Sequence, residues 1–167
     1  MRFALINPHW EFDGSIYFGC REKHLPLEYG YSKLLLEGAG HEAVLIDGHM
    51  GELSDAQIVD RVAQFKPDVL VITTAPTYLF WRCAPPELRI PQRLCSLLRP
   101  HARQLVAVGP HASTTPRATL NKLGVDVGRS GRMRRDTSHA GRRSLRSALD
   151  CLPGRGEGNC SRAESSG

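Results

Sequence analysis

Pro67-Asp68-Val69-Leu70-Val71-Ile72-Thr73-Thr74 decides the fold. Val69 to Ile72 is a continuous apolar run that passes into two β-branched threonines. It lacks the polar alternation of a strand with one wet face, so it reads as a strand buried on both sides. Three further runs repeat the pattern: Phe3-Ala4-Leu5-Ile6-Asn7, Ala43-Val44-Leu45-Ile46-Asp47 and Gln104-Leu105-Val106-Ala107-Val108-Gly109. Val125-Asp126-Val127 opens a fifth.

Helical patterns lie between the strands. Pro26 opens a helix that Gly38 and Gly40 stop, with Leu27, Tyr31, Leu34 and Leu35 on one face. Ser54 caps a second, carrying Ile58, Val59, Val62 and Phe65 and closed by Pro67. A third runs through Leu88, Leu94, Leu97 and Leu98, and a short fourth runs from Pro116 to Gly124. Strands alternating with helices predict an α/β fold: a doubly wound, flavodoxin- or Rossmann-like parallel sheet of four to five strands with helices on both faces. Such sheets bind ligands beyond the carboxyl ends of their strands, where the segments after Asn7, Asp47, Thr74 and Gly109 open.

The 167 residues suit one domain with a tail. Hydrophobic residues make up 41%, enough for a buried core. No apolar run of membrane-spanning length occurs, and Met1 to Asn7 does not resemble a secretory signal, so a cytoplasmic location is expected. The net charge of +5 is not spread evenly. Residues 1–127 hold 13 basic and 13 acidic residues, whereas residues 128–167 hold 9 arginines against 4 acids. The foldable part is therefore neutral, and no nucleic-acid partner is expected of it. The Arg-, Gly- and Ser-rich stretch 128–167 shows no apolar period. Its composition is that of a disordered tail or an out-of-frame translation, against the alternative of a native basic arm. The five cysteines include no CxxC and no CxxxCxxC, and Cys95 reads as core.

Leu5-Ile6-Asn7-Pro8, Pro26-Leu27-Glu28-Tyr29-Gly30, Gly40-His41-Glu42-Ala43 and Leu45-Ile46-Asp47 occur in this order, followed by Pro67 to Thr74 and Val106-Ala107-Val108-Gly109-Pro110-His111-Ala112-Ser113. Over residues 1–127 the series resembles the amino-terminal cobalamin-binding domain of the cobalamin-dependent radical S-adenosylmethionine enzymes. The resemblance implies a corrinoid ligand, cobalamin, lined by Asn7, Pro8, Thr73, Thr74, Gly109, Pro110 and His111. Gly109 would let a flat macrocycle approach the backbone. Thr114, with Thr115, would offer hydroxyls and amides to the nucleotide tail. The aromatic stretch Tyr78-Leu79-Phe80-Trp81 would form an apolar wall. The radical domain with its cluster-binding CxxxCxxC does not follow in this chain, so the resemblance implies a truncated binding module with that domain missing or encoded separately. Its iron–sulfur cluster, and catalysis with it, would lie elsewhere.

Asp47-Gly48-His49-Met50-Gly51 approaches the DxHxxG motif that supplies cobalt with a histidine in other cobalamin proteins. The glycine is one place early and the motif follows the second strand, so His49 is expected to be a solvent-facing loop residue and no metal ligand is assigned. His9, Trp10, Glu11 and Asp13, with Glu22, Lys23 and His24, are expected to form a mostly solvated loop. Trp81 and Cys83, among prolines, would mark an ordered loop or pack on the third helix. The alternative function is a small flavodoxin-like regulatory or partner-binding domain with a non-corrinoid ligand. A phosphate-accepting receiver domain is disfavoured, because Asn7-Pro8 and Thr73-Thr74 stand where its acids would be.

Overall fold

The four apolar runs and the short fifth one all enter a single sheet. The computed structural model describes residues 1–11, 23–76 and 88–128. The strands are β1 (Arg2–Asn7), β2 (Glu42–Asp47), β3 (Val69–Thr73), β4 (Gln104–Val108) and β5 (Val127–Gly128). Their order is β2-β1-β3-β4-β5 and every pairing is parallel. The chain winds one way from β1 to β2 and the other way from β3 onward, so the switch point lies between β1 and β3. This is the doubly wound α/β fold that the strand pattern predicts. All described residues fall within one compact unit, Met1–Met133. The reading of the tail beyond Gly128 lies outside the described residues.

One face of the sheet presents Ala4, Ile6, Ile46, Leu70, Ile72, Leu105 and Ala107. Helices α2 (Asp55–Phe65), α3 (Arg89–Leu98) and α5 (Pro116–Leu123) cover it with Ile58, Val62, Leu94, Leu98 and Leu123. Cys95 is part of this cluster, and burial pushes its thiol up to about 12, which keeps it inert. Ser54 and Gln57 form a capping box at the start of α2, and Lys66, in the left-handed region at φ 50°, ends it before Pro67. Among the described residues no helix is long and apolar enough to cross a membrane.

Helix α1 (Leu27–Gly38) packs along β2 and corrects one expectation. The stripe Leu27, Tyr31 and Leu34 faces outward, with 69%, 70% and 66% of each residue exposed. The buried side is Tyr29 and Leu36, with Ser32 and Lys33 half-buried between them. These four keep helical spacing as well. Ser32 satisfies its hydroxyl on the Glu28 carbonyl, and Lys33 ties its ammonium to Glu37, so both lie against the protein without an orphaned polar group. The other corrections are at element ends. A five-residue helix, α4 (Pro110–Thr114), follows β4 directly, and Arg99–His101 forms a 3-10 turn after α3.

Two aspartates stitch the amino edge of the sheet. Asp68, just before β3, accepts the Arg2 amide of β1 at 2.9 Å. Asp126, just before β5, accepts the Leu105 amide of β4 at 2.8 Å and pairs with Arg99. Burial pushes the Asp126 carboxyl up, but Arg99 and the Leu105 amide together hold it below the usual carboxylate value.

Candidate functional site

The carboxyl rim of the sheet divides into two halves of different character. At the β1–β2 half, Asn7 is buried and its whole amide is used. Its Nδ2 donates to Asp47 Oδ1 at 2.8 Å, and its Oδ1 accepts from Trp10 Nε1 at 2.9 Å. Asn7 and Asp47 are register partners across the parallel pair, so the contact follows directly from strand pairing. Pro8 is also buried. Gly48 donates its amide to the Asn7 carbonyl at 2.8 Å, and a Cβ there would meet Ile58 Cδ1 at 2.7 Å. Only glycine fits that approach.

The near-motif around His49 has a structural role. Asp47 Oδ1 also accepts the amides of His49 and Met50, each at 3.1 Å, which closes the turn after β2. His49 is buried, contrary to the solvent-facing expectation. Its Nδ1 accepts the Trp10 amide at 3.3 Å, and its ring meets that of His9 edge-on with centroids 5.8 Å apart. His9 Nδ1 donates to the Gly48 carbonyl at 3.2 Å. Burial and the neighbouring His9 hold His49 below the ordinary imidazole value, so it is neutral with its proton on Nε2. Trp10 is buried too, so the segment after β1 folds back on the rim where a solvated loop was expected. Glu11, at its end, is exposed and pairs with Arg93 of α3. Asp13 and Glu22 lie outside the described residues.

The β3–β4 half is built from small residues and hydroxyls. Thr73 Oγ1 donates to the Ala75 carbonyl at 2.7 Å. Thr74 continues the ladder through its amide to the Val108 carbonyl at 2.8 Å, but its buried Oγ1 has no partner among the described residues. Facing it is Gly109, at φ 109°, where a Cβ would stand 2.8 Å from that hydroxyl. Gly109 therefore lets the ends of β3 and β4 close together beside an orphaned hydroxyl.

Pro110 and His111 begin α4, and the hydroxyls beyond them turn inward. Thr114 donates to the Pro110 carbonyl at 2.9 Å, and Thr115 and Thr119 both donate to the His111 carbonyl. Thr114 and Thr115 remain exposed and keep lone pairs that accept. The structure thus gathers Thr73, Thr74, Gly109, Pro110 and His111 at the ends of β3 and β4, and places Asn7 and Pro8 in the filled half. The Tyr78 to Trp81 wall and Cys83 lie outside the described residues. Sequence reasoning missed the roles of Trp10, Asp47 and Gly48. The one available signal was Asp47-Gly48, a turn-forming pair directly after a strand. Among the described residues no group of three or more His, Cys, Asp or Glu side chains could hold a metal ion.

No protein-family model matches the chain, and no curated protein matches it. Among solved structures, the chain is similar to the radical S-adenosylmethionine methyltransferase TsrM from Kitasatospora setae, determined with cobalamin and a four-iron four-sulfur cluster bound. The TM-score is 0.55 at 18% identity over 74% of this chain. The match covers 21% of that protein, so the chain spans about a fifth of its length. At that identity the likeness is one of fold.

Proposed function

We propose that this chain is a corrinoid-binding module that seats cobalamin on the β3–β4 half of the rim. The observation that carries the reading is the pairing of Gly109, which holds a positive φ against β3, with the buried, unpartnered hydroxyl of Thr74. A macrocycle edged with amide groups suits both. It needs close approach to backbone, and it offers the donors and acceptors that Thr74 lacks. The shared fold with a cobalamin-bound enzyme supports the same conclusion.

In this reading Thr74 hydrogen-bonds the ligand, Gly109 keeps its approach free, and His111, Thr114 and Thr115 border it. Bound cobalamin would supply cobalt chemistry, and no residue of the chain is assigned as a ligand to that metal, since His49 spends its Nδ1 on Trp10 and lies in the filled half. The chain binds and orients, and catalysis by a radical S-adenosylmethionine domain belongs to another domain or chain, because no CxxxCxxC occurs in its sequence.

The test is incubation with excess hydroxocobalamin, gel filtration and a visible spectrum of the protein peak. Retained corrinoid absorbance is expected. A colourless peak overturns the reading and leaves a flavodoxin-like regulatory or partner-binding domain.

A further inference from the structure

The filled half of the rim carries a device that goes beyond corrinoid binding and does not depend on it. Trp10 is held over the end of β1 by two hydrogen bonds: its indole to Asn7 Oδ1 and its amide to His49 Nδ1. The second acceptor is a lone pair that exists only on the neutral ring. We propose that His49 is a proton-sensitive latch: protonation of its ring releases Trp10 and opens the β1–β2 half of the rim.

The chemistry follows from the contacts. An imidazolium carries N–H on both nitrogens, so Nδ1 would point a proton at the Trp10 N–H instead of accepting from it. A buried charge would also be opposed by its surroundings. His9 stands edge-on to the ring with its Nδ1 proton committed to the Gly48 carbonyl, and Lys23 and His24 add unfavourable positive potential. Asp47 opposes them, but its Oδ1 is shared among Asn7 and the His49 and Met50 amides. These four are the titratable or charged groups that act on His49 among the described residues. Protonation therefore removes the acceptor that holds the Trp10 amide in the closed geometry. Segment 8–10 gives way, freeing the Asn7 Oδ1 that Trp10 now occupies.

Tryptophan emission reads the latch directly. The chain has two tryptophans, so Trp81→Phe leaves Trp10 as the sole indole. Lowering the pH through and below 6.5, the ordinary imidazole value, should shift Trp10 emission to longer wavelength while far-ultraviolet circular dichroism holds. His49→Asn places an acceptor where Nδ1 stands but cannot titrate, and it should abolish the shift. In the unsubstituted chain, nitrogen resonances of His49 should report the Nε2-protonated tautomer at neutral pH, titrating together with the Trp10 indole resonance. Emission that stays constant, a step that persists in His49→Asn, a step that coincides with loss of circular dichroism, or an Nδ1-protonated tautomer would each overturn the latch. None of these outcomes requires a corrinoid, so failure here and failure of corrinoid binding are read separately.

Discussion

Thr74 carries the proposed site through what it lacks. An orphaned buried hydroxyl costs the fold on the order of 1–3 kcal/mol, and replacing it with a methyl of similar shape removes that cost. Thr74→Val is therefore expected to raise stability by about 1 kcal/mol and to weaken corrinoid retention, measured by denaturant titration and by visible spectra. Loss of stability with unchanged binding would remove Thr74 from the site. Gly109→Ala acts oppositely on stability, because it forces a side chain to φ 109° and drives a Cβ to 2.8 Å from Thr74 Oγ1. A loss of about 1–3 kcal/mol is expected from the strained backbone, together with loss of binding. At this scale the sequence placed Thr73, Thr74, Gly109 and His111 correctly on the rim, since each directly follows or ends a recognisable strand. It could not show that Asn7 is consumed internally. That depends on Asp47, forty residues away and adjacent only through strand register.

Helix α1 shows the limit of periodicity at the scale of an element. Leu27, Tyr31 and Leu34 form a sound apolar stripe, and so do Tyr29 and Leu36 with Ser32 and Lys33 between them. Hydrophobicity favours the first, but packing on β2 selects the second. Two substitutions distinguish the sides. Leu34→Lys should leave stability within about 0.5 kcal/mol, as for an exposed position. Leu36→Ala should cost about 2–5 kcal/mol, as for a filled core site. Equal effects in thermal melts would contradict the orientation of the helix. Where one stripe clearly dominated, as on α2, boundaries and buried face were both legible, and Ser54 marked its start. Trp10 was hidden for another reason. A segment returning onto a sheet edge has no period, so its burial leaves no pattern in the sequence.

For the whole molecule, acid acts in the same direction through His49 and Asp126. His49 in the fold titrates below 6.5 and Asp126 below 3.8. In each case the unfolded chain takes up its proton at a higher pH than the folded one, so stability rises with pH across that window. The contribution of His49 is complete above 6.5 and is lost as pH falls toward its folded value. That of Asp126 is complete above 3.8 and is lost below it. Melting temperature by calorimetry should therefore be level near neutrality and decline in two stages on acidification. His49→Asn should remove the first stage and Asp126→Asn the second. A single stage unaffected by either change would show that other groups govern acid stability. The global architecture was the most legible level, because unbroken β-branched runs separated by helices admit few arrangements. Strand order and the unequal filling of the rim were not, since both arise only when distant segments meet.

The aspartate ties of Asp68 and Asp126 grip the sheet at the end remote from Thr74 and Gly109. If the proposed guest sits at Thr74 and Gly109, cohesion and recognition fall at opposite ends of the strands. Rewriting a few positions at one end would then change the guest, while the clasps that hold the strands in step stay untouched.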